Sequence, residues 1–120
     1  MPDQPSIPVA VDRAYALWVW LDGRLVDFPA AARPLAGRRT FDAATDVLDA
    51  LLEATYASRG DRRRHDALVR ANQRLALLRL LLRGARDRRY LSISQHDHVI
   101  EQLGELGRMI GGWLRSTRDA

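Results

Sequence analysis

The stretch RGDRRRHDALVRANQRLALLRLLLRGARDRR, residues 59–89 of a 120-residue chain, decides how the rest is read. At ~100° per residue, Leu68, Ala71, Leu75, Leu78, Leu82 and Ala85 share one face, with the steps of three and four of a core-facing helix. Val69, Ala76, Leu77 and Leu80 gather on nearly the opposite side. Two arginine strips separate these faces, Arg63, Arg70, Arg74 and Arg88 on one flank and Arg79, Arg83 and Arg86 on the other. Asp61 stands in the position of an N-cap, and the helix is expected to continue to about Arg88.

Helical spacing extends along the chain in both directions, and no period-2 strand competes with it. Residues 1–11, with Pro2, Pro5 and Pro8, are expected to form a loose tail. Asp12 can cap a first helix reaching Phe28, with Ala14, Leu17, Trp18, Leu21, Leu25 and Phe28 as its apolar stripe. Pro29 stops it, and Pro34 is placed to open the next. That second helix runs to about Ser58, with Gly37, Phe41, Ala44, Leu48, Leu51, Leu52 and Thr55 inward. Its outward stripe is acidic: Asp42, Asp46, Asp49 and Glu53. A fourth helix is capped by Ser92 or Ser94 and buries Val99, Leu103, Leu106, Ile110 and Leu114. Four helices joined by short connectors, over residues 12–118, predict an all-α, antiparallel up-down four-helix bundle.

A bundle of this kind uses one face of the third helix and leaves the other in water, which large apolar patches seldom tolerate without a partner. The first helix repeats the pattern more weakly through Tyr15, Val19 and Val26. Val69, Leu77, Leu80, Tyr15 and Val19 are therefore expected at an interface between copies of the chain. Gly104, Gly107 and Gly111 fall on one side of the fourth helix. They make a smooth groove that either packs within the bundle or admits another helix.

Every one of the 19 basic residues is arginine. Residues 59–89 hold eleven of them against Asp61, Asp66 and Asp87, a local charge of +8, while the whole chain carries only +4. Clustering of this kind describes a surface for polyanions, because the guanidinium fork matches phosphate. Arg62, Arg63 and Arg64 at the helix start oppose the helix dipole, a cost an anion would relieve. Arg62, Arg63, Arg64, Arg70, Arg74, Arg79, Arg83 and Arg86 are the candidate nucleic-acid-binding residues. Aromatic residues are too few and scattered for a base-stacking platform, so phosphate contact and steep salt dependence are expected.

Other chemistries find no footing. The chain has no cysteine, which removes thiol nucleophiles, disulfides and cysteine-ligated zinc. His96 and His98 point ~200° apart on a helix and cannot share a metal, so no metal or cofactor is expected. His96 reads as a packed or capping residue in the first turn. The acidic stripe of the second helix reads as a solvated face, or as a pairing surface for arginines of a neighbouring subunit. There is no phosphate loop and no hydrolase motif. No apolar run approaches a membrane span, and no secretory signal is visible, so a cytoplasmic non-enzyme is expected.

Several segments in order resemble a known family. They are Phe28-Pro29, Gly37-Arg38, residues 48–57 (LDALLEATYA), residues 70–79 (RANQRLALLR), Leu91-Ser92 with Gln95, and residues 103–113 (LGELGRMIGGW). Together they are similar to the accessory variability determinant proteins of diversity-generating retroelements. The resemblance implies a pentameric barrel of four-helix bundles that binds a reverse transcriptase and its template RNA, supporting error-prone cDNA synthesis. On this resemblance Arg70, Arg74 and Arg79 are the matching arginines. The related bundle proteins of ribosomal RNA intervening sequences carry a Ser-Ile-x-x-Asn-Ile-Ala-Glu-Gly segment in helix two. Residues 40–48 (TFDAATDVL) lack it. A protein-binding oligomeric scaffold is the alternative function.

Overall fold

The computed structural model describes residues 6–118, with side chains described for 9–117. Four α-helices account for most of it: α1 (Ser6–Leu25), α2 (Arg38–Tyr56), α3 (Arg62–Asp87) and α4 (Ile93–Arg118). Cross-helix contacts fix their directions. Trp18 donates to Thr45 while Leu25 shares a cleft with Gly37, so α1 and α2 run antiparallel. Arg70 meets Glu53 and Arg74 meets Asp46, which reverses α3 against α2. His65 reaches Thr117 while Arg79 reaches Leu103, which reverses α4 against α3. Arg13 pairs with Glu105 and Trp20 packs on His98, closing α4 onto α1. The result is an up-down bundle of 46 × 23 × 20 Å.

The core face expected of α3 is the one observed: Leu68, Ala71, Leu75, Leu78, Leu82 and Ala85 are all buried. It meets Leu17 and Leu21 of α1, Val47 and Leu51 of α2, and Leu103, Leu106 and Ile110 of α4 in a single cluster. The inward face of α2 is rotated from the expected one. Thr40, Ala43, Ala44, Val47, Ala50, Leu51 and Ala54 are buried, whereas Leu48 is half-buried and Leu52 exposed. Small side chains there let the α2 backbone approach α3 closely, and the larger leucines are left at the rim.

The ends of the helices differ from expectation in two places. Helix α1 begins at Ser6, ahead of Asp12, and includes Pro8; the part of the expected tail before Ser6 lies outside the described residues. A proline in the first turn lacks only an N–H that would have had no intrahelical partner. At the other end α1 stops at Leu25, and Phe28, still fully buried, packs from the connector against Tyr90. Pro34 sits in a π-helical turn, Arg33–Gly37, where the Gly37 amide donates to the Ala32 carbonyl at 3.0 Å. Helix α2 proper starts only after this turn.

The remaining caps follow the sequence. The Asp61 side chain accepts from the Arg63 amide at 2.8 Å. Ser92 and Gln95 form a reciprocal capping box, each backbone amide donating to the other's side-chain oxygen at 3.0 Å. Helix α3 ends in a Schellman motif: Tyr90 donates to the Ala85 carbonyl, Arg89 donates to that of Arg86, and Arg89 adopts φ +64°.

Candidate nucleic-acid interface

The arginines of α3 are sorted by their neighbours. On the α2 flank, Arg70 pairs with Glu53 and the Arg74 Nε lies 3.8 Å from Asp46. The acidic stripe of α2 is exposed along its length, as a solvated face, and two of its carboxylates face arginines of their own chain. Asp42 is taken by Arg38 within α2, at 3.1 Å.

The arginine triple at the head of α3 resolves within the protomer as well. Arg63 bonds the Asp61 carboxylate at 3.0 Å, which holds the Asp61 carboxyl below its usual value and raises Arg63. Arg64 is buried and donates to the carbonyl of Ala57, the C-cap of α2, at 2.8 Å. A cation at a helix C-terminus is favourably placed against the dipole, so Arg64 is a structural strut rather than part of an open surface. Only Arg62 of the three is exposed without an ion pair among the described residues.

On the α4 flank the picture is different. Arg83 is exposed and forms no ion pair among the described residues, and Arg86 pairs with its chain neighbour Asp87. Arg79 crosses to α4, where its guanidinium donates to the Leu103 carbonyl at 3.2 Å. There it lies over Gly107: a Cβ built on that glycine would fall 2.7 Å from Nη2 of Arg79. Two further arginines that sequence reading passed over, Arg108 and Arg115, fold back over glycines of the preceding turn. Their Nη1 atoms are 3.6 Å from Cβ positions on Gly104 and Gly111. The glycine stripe thus lies under guanidinium groups, with Leu75 of α3 packed beside Gly107. Its signal was the i, i+4 repeat Gly104–Arg108 and Gly111–Arg115.

The second apolar face of α3 is open. Leu80 is 63% exposed and Leu77 38%, with Val69 half-buried. On α1, Tyr15 is 56% and Val19 46% exposed. The two groups lie on separate sides of the bundle, Leu77 beside Arg39 of α2 and Tyr15 stacked on Trp18 above Phe41. A groove of about 480 Å³ runs from Leu80 and Leu81 past Gly84 to Pro29 and Leu35.

His96 is buried, the packed one of its two expected roles, and neither ring nitrogen has a hydrogen-bond partner among the described residues. Burial, reinforced by the nearby Arg86 charge, pushes its pKa down, so it is neutral near pH 7. Among the described residues, no group of histidines and carboxylates is arranged to hold a metal. No helix there is long and apolar enough to cross a membrane.

An all-α, four-helix-bundle protein with a basic flank is thereby defined. Comparison with family models gives the match: the bAvd-like model covers residues 15–117, and the chain belongs to that family of accessory variability determinants. It is an accessory family, not a catalytic one. Neither curated proteins nor solved structures gave a match.

Proposed function

We propose that the chain is the accessory protein of a diversity-generating retroelement, binding its reverse transcriptase and template RNA to support mutagenic cDNA synthesis. Family membership supports the setting. The observation that carries the binding mode is the sorting of α3: its α2 flank is matched by Glu53 and Asp46, while Arg62, Arg79 and Arg83 meet no carboxylate among the described residues. Arg70 and Arg74 can join this surface, because exposed ion pairs are worth under about 1 kcal/mol and phosphate competes with carboxylate. Binding through phosphates admits both nucleic acids, so template RNA is the ligand the family setting calls for and DNA is a second.

The exposed Val69, Leu77 and Leu80 of α3, and Tyr15 and Val19 of α1, are proposed as contacts between copies in a cytoplasmic homopentamer. Their placement on separate sides of the bundle suits a ring, in which each copy presents two different faces to its neighbours. The same apolar surface favours the second reading, an oligomeric scaffold that binds protein alone.

Titration of the purified protein with a structured RNA, at low and at physiological salt, tests the proposal. Affinity that falls steeply with salt, and falls further in Arg79→Gln/Arg83→Gln with the oligomer intact, is the expected result. No binding at low salt overturns it and leaves the scaffold.

A further inference from the structure

Between α3 and α4 runs a groove of about 550 Å³ lined by Asn72, Arg79, Gly104, Gly107, Arg108, Gly111 and Arg115. Its floor is the glycine side of α4, and from Gly104 to Arg115 it extends ~16 Å at the rise of an α-helix. Three guanidinium groups, one from α3 and two from α4, lie along it. None has an ion-pair partner among the described residues. Of the acids of α4, Glu105 is turned away to Arg13 of α1, and exposed Glu101 forms no pair among the described residues.

Such a row of like charges is unfavourable by itself, and three interior glycines each cost a helix about 0.5–1 kcal/mol. Both costs have a common explanation in an anionic chain that needs close approach to the helix backbone. A Cβ at position 107 would displace the Arg79 guanidinium, and the bare backbone at 104, 107 and 111 lets an anion follow the floor between the three arginines. The lining offers no aromatic or large apolar anchor, which protein partners generally require. Forked donors without a stacking surface suit phosphate read without its base.

We infer that this groove seats the phosphodiester backbone of a nucleic-acid strand, with Arg79, Arg108 and Arg115 as its phosphate contacts. The inference rests on the proposed function and localises it. It predicts indifference to base identity, because the bases project away from the glycine floor.

The test compares the whole protein with two variants of equal charge loss, Arg108→Gln/Arg115→Gln in the groove and Arg38→Gln/Arg39→Gln at the start of α2. Oligouridine and oligoadenosine of one length are the probes, with polyglutamate as a protein-like polyanion, and thermal melts confirm folding. The groove variant is expected to lose about tenfold or more in RNA affinity and to show a shallower salt dependence. The α2 variant should stay within about twofold and the two RNAs should bind alike. A groove variant as tight as the parent overturns the groove while leaving RNA binding standing. Loss of polyglutamate but not RNA binding assigns the groove to an acidic protein and overturns it too. A parent protein that binds no RNA at low salt removes the proposed function and the groove together.

Discussion

Arg79 of α3 lies where a side chain on Gly107 of α4 would begin, its Nη2 atom 2.7 Å from the Cβ position. Leu75 Cδ2 stands 3.4 Å from the same point, so the glycine is covered by one flexible arginine and one core leucine. Gly107→Ala therefore sets two effects against each other. Alanine gains about 0.5–1 kcal/mol of helix propensity, and only the mobile tip of Arg79 must move. We predict an unchanged or raised melting temperature, with weakened RNA binding as Arg79 is lifted from the Leu103 carbonyl. A melt and an RNA titration on the same sample check both parts.

Arg89 ends α3 in a left-handed conformation, φ +64°, which an L side chain adopts at a cost of about 1–2 kcal/mol. Its backbone position is C′ of a Schellman motif, where glycine is the favoured residue. Arg89→Gly is expected to stabilise the protein by about 1 kcal/mol in urea unfolding. Destabilisation would mean that the exposed Arg89 side chain has a role in the fold that its surroundings do not show.

The Asp61 cap contributes stability that depends on pH. Arg63 holds its carboxyl below the ordinary aspartate value of 3.8, chiefly through their side-chain hydrogen bond. The contribution is therefore complete above pH 3.8 and is lost as pH falls through the lower folded-state value. Asp61→Asn keeps a capping oxygen without the charge. Its melting temperature should converge with that of the parent as the medium is acidified below pH 4, and differ most near neutrality.

His96 gives a second window, higher on the scale. Burial first, and the Arg86 charge second, lower its pKa from 6.5, outweighing Asp97 and Asp87. Protonation thus favours the unfolded chain: the stability associated with neutral His96 is complete above pH 6.5 and is lost as pH falls through the lower folded value. His96→Phe should flatten the fall in melting temperature between pH 7.5 and 5.5. A variant as acid-sensitive as the parent would place the titration elsewhere.

Leu80→Glu puts a carboxylate on the most exposed leucine of α3. Burying that charge in a subunit contact would cost several kcal/mol, so light scattering should report smaller particles with helical content retained. An unchanged particle mass would exclude this face from the assembly.

The parts of the fold legible from sequence are those where large apolar residues carry the periodicity. The core face of helix α3 was readable because Leu68, Leu75, Leu78 and Leu82 mark it, with only Ala67 and Arg64 of its buried residues outside the expected set. Helix α2 was misaligned because Leu48 and Leu52 draw the eye, whereas alanines 43, 50 and 54 do the packing. Alanine is nearly silent in hydrophobic patterning. The candidate site was legible as an arginine block but not as two unlike flanks. Pairing Arg70 with Glu53 and seating Arg79 on Gly107 require the relative rotation of helices, which periodicity within one helix does not contain. Arg64 was misplaced for the same reason, since its partner is the carbonyl end of a different helix.

The ion pairs between α2 and α3 also have a consequence away from the bundle itself. By cancelling charge along one seam and leaving it along the next, they turn a net +4 into a lopsided field. Screening at physiological ionic strength acts over about 8 Å, less than half the 23 Å width of the protomer. A polyanion drifting past would therefore respond to whichever side it meets, not to the total. On the proposed function, collisions on the α4 side would be lengthened and those on the α2 side brief, so the protein would bias the orientation of its own encounters before docking.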